Sequence, residues 1–103
     1  MIKVSVFYAD REGSKFNMDY YCNSHIPMVR EKLGAACKGA AVEHSITGAT
    51  PGSRAGFIAM GHLYFKSVEE FQTAFGPHAQ AIMADIPNYT DIQPTIQISE
   101  VKI

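Results

Sequence analysis

Residues 57–65, Phe-Ile-Ala-Met-Gly-His-Leu-Tyr-Phe, constrain the fold more than any other stretch of the chain. Phe57, Ala59, Gly61, Leu63 and Phe65 alternate with Ile58, Met60, His62 and Tyr64. That two-residue period is a β-strand's, yet neither of its faces is polar. A strand of this kind sits inside a sheet with something packed on both sides. The rest of the chain, or a partner, has to supply both covers.

The flanking segments supply one of them. Ile2, Val4, Val6 and Tyr8 alternate with Lys3, Ser5 and Phe7, which predicts a first strand over 2–8. After a polar turn at 10–14, Asn17 is placed to cap a helix, and Met18, Tyr21, Cys22, His25, Met28 and Val29 recur at helical spacing. Pro27 has no N–H and its ring crowds the preceding turn, so a kink or short break is expected near His25 and Ile26. The helix then resumes to Leu33, with Gly34 just beyond its end. A second strand is expected from about Cys37 to Ile46, followed by a Gly- and Pro-containing loop to Gly56. Ser67 and Glu70 have the spacing of a capping box at the head of a helix whose stripe is Val68, Phe71, Ala74 and Phe75. Gly76-Pro77 ends it, and Pro77 can open a short helix through Ile82 and Met83 that stops at Pro87. The segment from Ile92 to Ile103 reads as the last strand.

The order strand, helix, strand, strand, helix, strand, with short connections and right-handed crossovers, predicts an α+β fold. It is a ferredoxin-like βαββαβ sandwich: a four-stranded antiparallel sheet with two main helices on one face, as one domain over 1–103. Two helices leave the other face of 57–65 bare. A second copy packed sheet to sheet about a two-fold axis is the simplest cover, so a homodimer through the sheet face is expected.

Composition narrows the function. With 47% hydrophobic and 18% charged residues the chain reads as a folded protein, not a disordered one. A net charge of −1, without basic clusters, argues against nucleic-acid binding. No apolar run approaches the ~20 residues of a membrane span. The first residues read as a strand and not as a signal peptide, and two cysteines are too few for a disulfide framework, so a cytoplasmic location is expected.

Four histidines are the candidates for chemistry: His25, His44, His62 and His78. Cys22 and His25 could share a helix face, but a zinc site needs at least three protein ligands and no second pair is visible, so no metal is expected. The loop at 48–56 lacks the P-loop spacing, and no Gly-x-Gly-x-x-Gly occurs, so no cofactor is indicated. His25 lies on the apolar face of the first helix, aimed between helix and sheet, with Tyr20 and Tyr21 before it. An apolar cavity with a few convergent polar groups is the usual look of a small-molecule site. Two roles stay open for this imidazole: proton transfer to a ligand, or a hydrogen bond to the carbonyl freed by Pro27. His62 shares its strand face with Met60 and Tyr64, and that face meets either the pocket or the dimer interface. His78 is expected at the surface.

Phe16, Asp19-Tyr20-Tyr21 and His25-x-Pro27 resemble the Phe-x3-Tyr-Tyr-x3-His-x-Pro signature of the EthD family. Gly61-His62-Leu63-Tyr64-Phe65, Phe71-x3-Phe75-Gly76-Pro77-His78, the run 84–90 and Gln93-Pro94 extend the resemblance along nearly the whole chain. It implies a dimeric α/β barrel, two ferredoxin-like subunits joined through their sheets with clefts between sheet and helices. The family is named for a protein encoded with a cytochrome P450 system that degrades ethyl tert-butyl ether. By matching position the resemblance offers His25 as acid/base with Tyr21 beside it. Tyr20, Met28, His62 and Tyr64 are then expected to contact the substrate. One function is cofactor-free acid/base chemistry of isomerase, cyclase or dehydratase type on a small apolar oxygenated molecule. The other is non-catalytic ligand binding in support of an oxidase system.

Overall fold

Residues 1–103 are described by a computed structural model. Four strands carry the alternation: β1 (Ile2–Ala9), β2 (Gly39–His44), β3 (Phe57–Phe65) and β4 (Thr95–Glu100). They pair antiparallel in the order β2-β3-β1-β4, so the strand that is apolar on both faces lies inside the sheet. In this register Val4 is opposite Leu63 on one side and Ile98 on the other. Those side chains, with Val6, Tyr8, Ala59 and Phe65, point toward the helices. This is the ferredoxin-like α+β sandwich expected from the order of elements.

The helical layer consists of α1 (Met18–Tyr20), a π-helical turn (Tyr21–His25), α2 (Ile26–Leu33), α3 (Val68–Phe75) and α4 (Ala79–Ala84). The Asn17 side chain accepts the Tyr20 N–H at 3.0 Å, and Ser67 Oγ accepts the Glu70 N–H at 3.1 Å, so both expected N-caps form. The irregularity expected before Pro27 takes the form of a widened turn, in which the Ile26 N–H reaches back five residues to the Tyr21 carbonyl. The extra residue relieves the crowding that Pro27 would cause in a regular turn, and Pro27 itself sits in the first turn of α2, where a missing N–H costs little.

Two clusters fill the space between the layers. One is Val4, Val29, Leu33, Leu63, Phe65 and Ile82; the other is Tyr8, Tyr21, Ala59, Tyr89 and Ile92. Each fully buried side chain of this size contributes about 1.5–3 kcal/mol. The outer strands are shorter than expected. Residues 34–36 form a 3-10 turn closed by the Cys37 N–H on the Gly34 carbonyl, which delays β2, and Ile46 lies beyond its end in solvent. β4 starts only after Pro94, because Ile92 turns inward to join the second cluster.

The other face of the sheet has no helix over it. It presents Lys3, Ser5, Phe7, Met60, His62 and Tyr64, with the Phe7 and Phe57 rings 5.3 Å apart. Ser5 Oγ is 2.9 Å from His62 Nδ1, and Glu43 Oε1 is 2.7 Å from His62 Nε2. Alternation left two faces open for His62 and Tyr64; both stand on this uncovered one, away from the helices. No helix is long and apolar enough to cross a membrane.

Candidate functional site

A cavity of about 250 Å³ opens between α2, α3, α4 and the sheet. Thirteen of its sixteen lining residues are hydrophobic, among them Val6, Leu63, Phe75 and Met83, and His25 is the ionisable nitrogen group in the wall. Its mouth lies by Met83 and Ile96, both substantially exposed. Small ligand sites commonly span roughly 300–1,000 Å³, so this one suits a compact guest. Larger, more open hollows occur elsewhere on the surface, around 93–95 for instance. They are more open to solvent and hydrophobic residues are a minority of their linings, so the smaller, more enclosed cavity is the candidate site.

Two features of the backbone make the cavity. Gly61 leaves β3 without a side chain where the Tyr21 hydroxyl comes down onto the sheet; a Cβ there would collide with that oxygen and stand 3.3 Å from Tyr21 Cζ. The π-turn sets the other wall. In a regular helix residues five apart point about 140° away from each other, but one extra residue per turn brings them nearly into line. Tyr20 and His25 are five apart, and both reach the same carboxylate, Asp85.

Asp85 Oδ2 lies 2.8 Å from His25 Nδ1. Its Oδ1 accepts the Tyr20 hydroxyl at 2.7 Å and the Asn88 amide at 2.9 Å. Burial pushes the Asp85 carboxyl up, but the hydrogen bonds from Asn88, His25 and Tyr20 outweigh it and hold the group below the ordinary aspartate value. Asp85 is therefore ionised and can only accept, which assigns the Nδ1 proton to His25 and leaves Nε2 as its basic nitrogen. His25 is 5% exposed, and burial lowers its pKa from the usual value although Asp85 pulls the other way. At neutral pH the ring is uncharged. It stacks on Tyr21 (centroids 5.6 Å apart, planes at 14°) and meets Tyr89 at 4.6 Å, so its orientation is set on both sides.

Tyr8 and Tyr21 add hydroxyls to the wall, and Tyr8 Oη is 2.6 Å from Tyr89 Oη. Burial is the main cause raising all three phenols well above the ordinary tyrosine value, so they stay neutral and able to donate.

Of the residues expected at the site, His25 and Tyr21 line the cavity together. Tyr20 stands behind them on Asp85, and Met28 packs against the first core cluster instead of facing the hollow. His62 and Tyr64 are on the far side of the sheet, which separates them from His25. Asp85 and Tyr8 were missed. Tyr8 showed only as an inward strand position. Asp85 is 60 residues from His25, and its one sequence signal was its place in the run 84–90 that carried the resemblance. His, Cys, Asp and Glu side chains nowhere gather in threes as a metal site would need. Cys22 is exposed, and its Sγ contacts Met18 Sδ at 3.6 Å.

The fold recurs in solved structures. An EthD-like protein from Ralstonia eutropha JMP134 is 44% identical over 99% of this chain and 92% of its own, with a TM-score of 0.95. An ethyl tert-butyl ether D family protein from Bacillus halodurans is 22% identical over 99% of both chains, with a TM-score of 0.75. A dimeric ferredoxin-like protein of unknown function from Thermobifida fusca shares the fold at 14% identity over 97% of this chain and 90% of its own, with a TM-score of 0.54. No curated protein matches the chain. The EthD domain model matches residues 14–93, a span that holds the π-turn, the cavity-facing glycine of β3 and the His25–Asp85 pair. The chain belongs to the EthD domain family.

Proposed function

We propose that this protein binds a small, apolar, oxygen-bearing molecule in the cavity and moves a proton on it with His25. The observation that carries the proposal is the pairing of His25 Nδ1 with Asp85 in a cavity-lining ring, which leaves Nε2 free in a wall that is otherwise almost wholly apolar. Nε2 takes a proton from a C–H or O–H of the guest. Asp85 steadies the imidazolium that forms, while the Tyr21 and Tyr8 hydroxyls donate to the developing oxyanion. Nε2 then returns the proton at a second atom of the guest, which completes an isomerisation, or delivers it to a hydroxyl whose C–O bond breaks to release water, which completes a dehydration. Tyr20 is a positioning residue that holds Asp85. The chemistry uses groups of the chain alone.

The protein acts as a cytoplasmic homodimer in this proposal. Support for the dimer is the bare sheet face with Phe7, Met60 and Tyr64, together with the dimeric ferredoxin-like relative of T. fusca. In the dimer His62 and Tyr64 belong to the interface. Support for the location is two free cysteines, one of them exposed.

The test is proton exchange. Small enolisable ketones and lactones are incubated with the protein in deuterated water, and deuterium uptake at carbon is followed by NMR. Uptake is expected with the native chain, and His25→Ala should slow it by about 10²–10⁴-fold. Undiminished uptake in the variant would remove His25 from the mechanism. Compounds that raise the melting temperature without any exchange would leave a carrier in its place.

A further inference from the structure

The hydrogen-bonding polarity of the cavity restricts what can occupy it. Asp85 takes three donors on its two oxygens, from Tyr20, Asn88 and His25. Because this carboxylate has no proton to give, the imidazole hydrogen stays on Nδ1 and Nε2 is an acceptor only. The phenol hydroxyls of Tyr8 and Tyr21 are different, since each can donate or accept. Nε2 is thus the one polar atom of the wall that makes a one-sided demand. A guest that displaces water from it without offering a hydrogen leaves a buried acceptor unpaired, which is costly. An anion fares worse. No Lys or Arg lines the cavity, and the charge behind the imidazole is that of Asp85. A carboxylate could settle on Nε2 only by bringing a proton with it.

We propose that the cavity selects an uncharged molecule carrying a hydroxyl donor, a phenol or an enol, over an ether or carboxylate of the same shape. The inference rests on the cavity being the ligand site. A two-ring aromatic matches its size, and the donor hydroxyl lies on Nε2 while the ring system fills the space bounded by Val6, Leu63, Phe75 and Ile96.

Three probes of one shape test it on the native protein: 2-naphthol, 2-methoxynaphthalene and 2-naphthoate, titrated calorimetrically near pH 8, where only the last is ionised. The ether and the carboxylate should each bind about tenfold or more weaker than the naphthol. In His25→Phe, which keeps a ring but no acceptor, the gap between naphthol and ether should close. If the ether or the carboxylate equals the naphthol on the native chain, the polarity inference is wrong while the cavity remains a ligand site. If the gap survives in His25→Phe, another atom is the acceptor and the assignment to Nε2 fails. If none of the three binds or shifts the melting temperature, the cavity is not a ligand site and both proposals fall together.

Discussion

Gly61→Ala is the smallest change that tests how the cavity wall is built. The added Cβ would overlap the Tyr21 hydroxyl oxygen, so something has to move. Tyr21 has little freedom to yield: its ring is 5.1 Å from Phe16, 5.0 Å from Tyr89 and 5.6 Å from both Tyr8 and His25. Overpacking at such a site costs about 1–3 kcal/mol, set against roughly 0.4–1 kcal/mol gained from a stiffer unfolded chain. A net loss of about 1–2 kcal/mol follows, and for a domain of this size each kcal/mol lowers the melting temperature by roughly 4–8 °C. Tyr21→Phe removes the oxygen and leaves the ring carbon at 3.3 Å, tight but tolerable. The double variant should therefore be more stable than the sum of the single losses by about 1 kcal/mol or more, a coupling that urea denaturation of all four proteins measures. Gly61→Ala with native stability, or a double variant whose losses simply add, would refute the close approach of Tyr21 to the sheet.

The titration of the site should show in stability. His25 has a folded pKa below its unfolded one, so its contribution is complete above about pH 6.5 and is lost as pH falls below that value. Asp85, also lowered, adds a second loss as pH falls below about 4. Urea denaturation from pH 7.5 to 4 should show stability declining with acid, with the upper part of the decline absent in His25→Gln; a flat native profile would contradict the burial of a neutral imidazole. Asp85→Asn removes the charge that favours the imidazolium, so His25 should titrate lower still and lose its fixed Nδ1–H form. Nitrogen-15 NMR of the ring reads both changes, and an unaltered spectrum would dissociate the pair. Met60→Asp puts a charge in the middle of the bare sheet face and should turn the proposed dimer into a monomer in sedimentation, where an unchanged sedimentation coefficient would place the interface elsewhere.

Local patterns in the sequence were enough to find most elements. The strand at 57–65 is seen over the whole of its expected range, and the caps at Asn17 and Ser67 form as their side chains dictate. Alternation could not say which face of β3 meets the helices, because Met60 and Tyr64 are as apolar as Leu63; pairing with Val4 decides it. Pro27 marked a disturbance in the helix, but its form depended on whether the chain could admit an extra residue, and that is a matter of packing. His25 could be found because its motif is local. Asp85 could not, since a carboxylate two residues ahead of a proline looks like any surface turn until the fold brings it to within 2.8 Å of an imidazole.

The surplus residue in the turn 21–25 has a consequence for how such a chain can vary in length. Cys22, Asn23 and Ser24 are exposed, and their identity is loosely held. Their number has a direction in which it can change. Dropping one would leave Tyr20 and His25 four apart in a regular turn, about 40° from each other and still able to share Asp85, whereas adding one would set them about 120° apart and take the Tyr20 hydroxyl off the carboxylate. The stretch from Tyr20 to His25 behaves as a spacer that tolerates shortening and not lengthening.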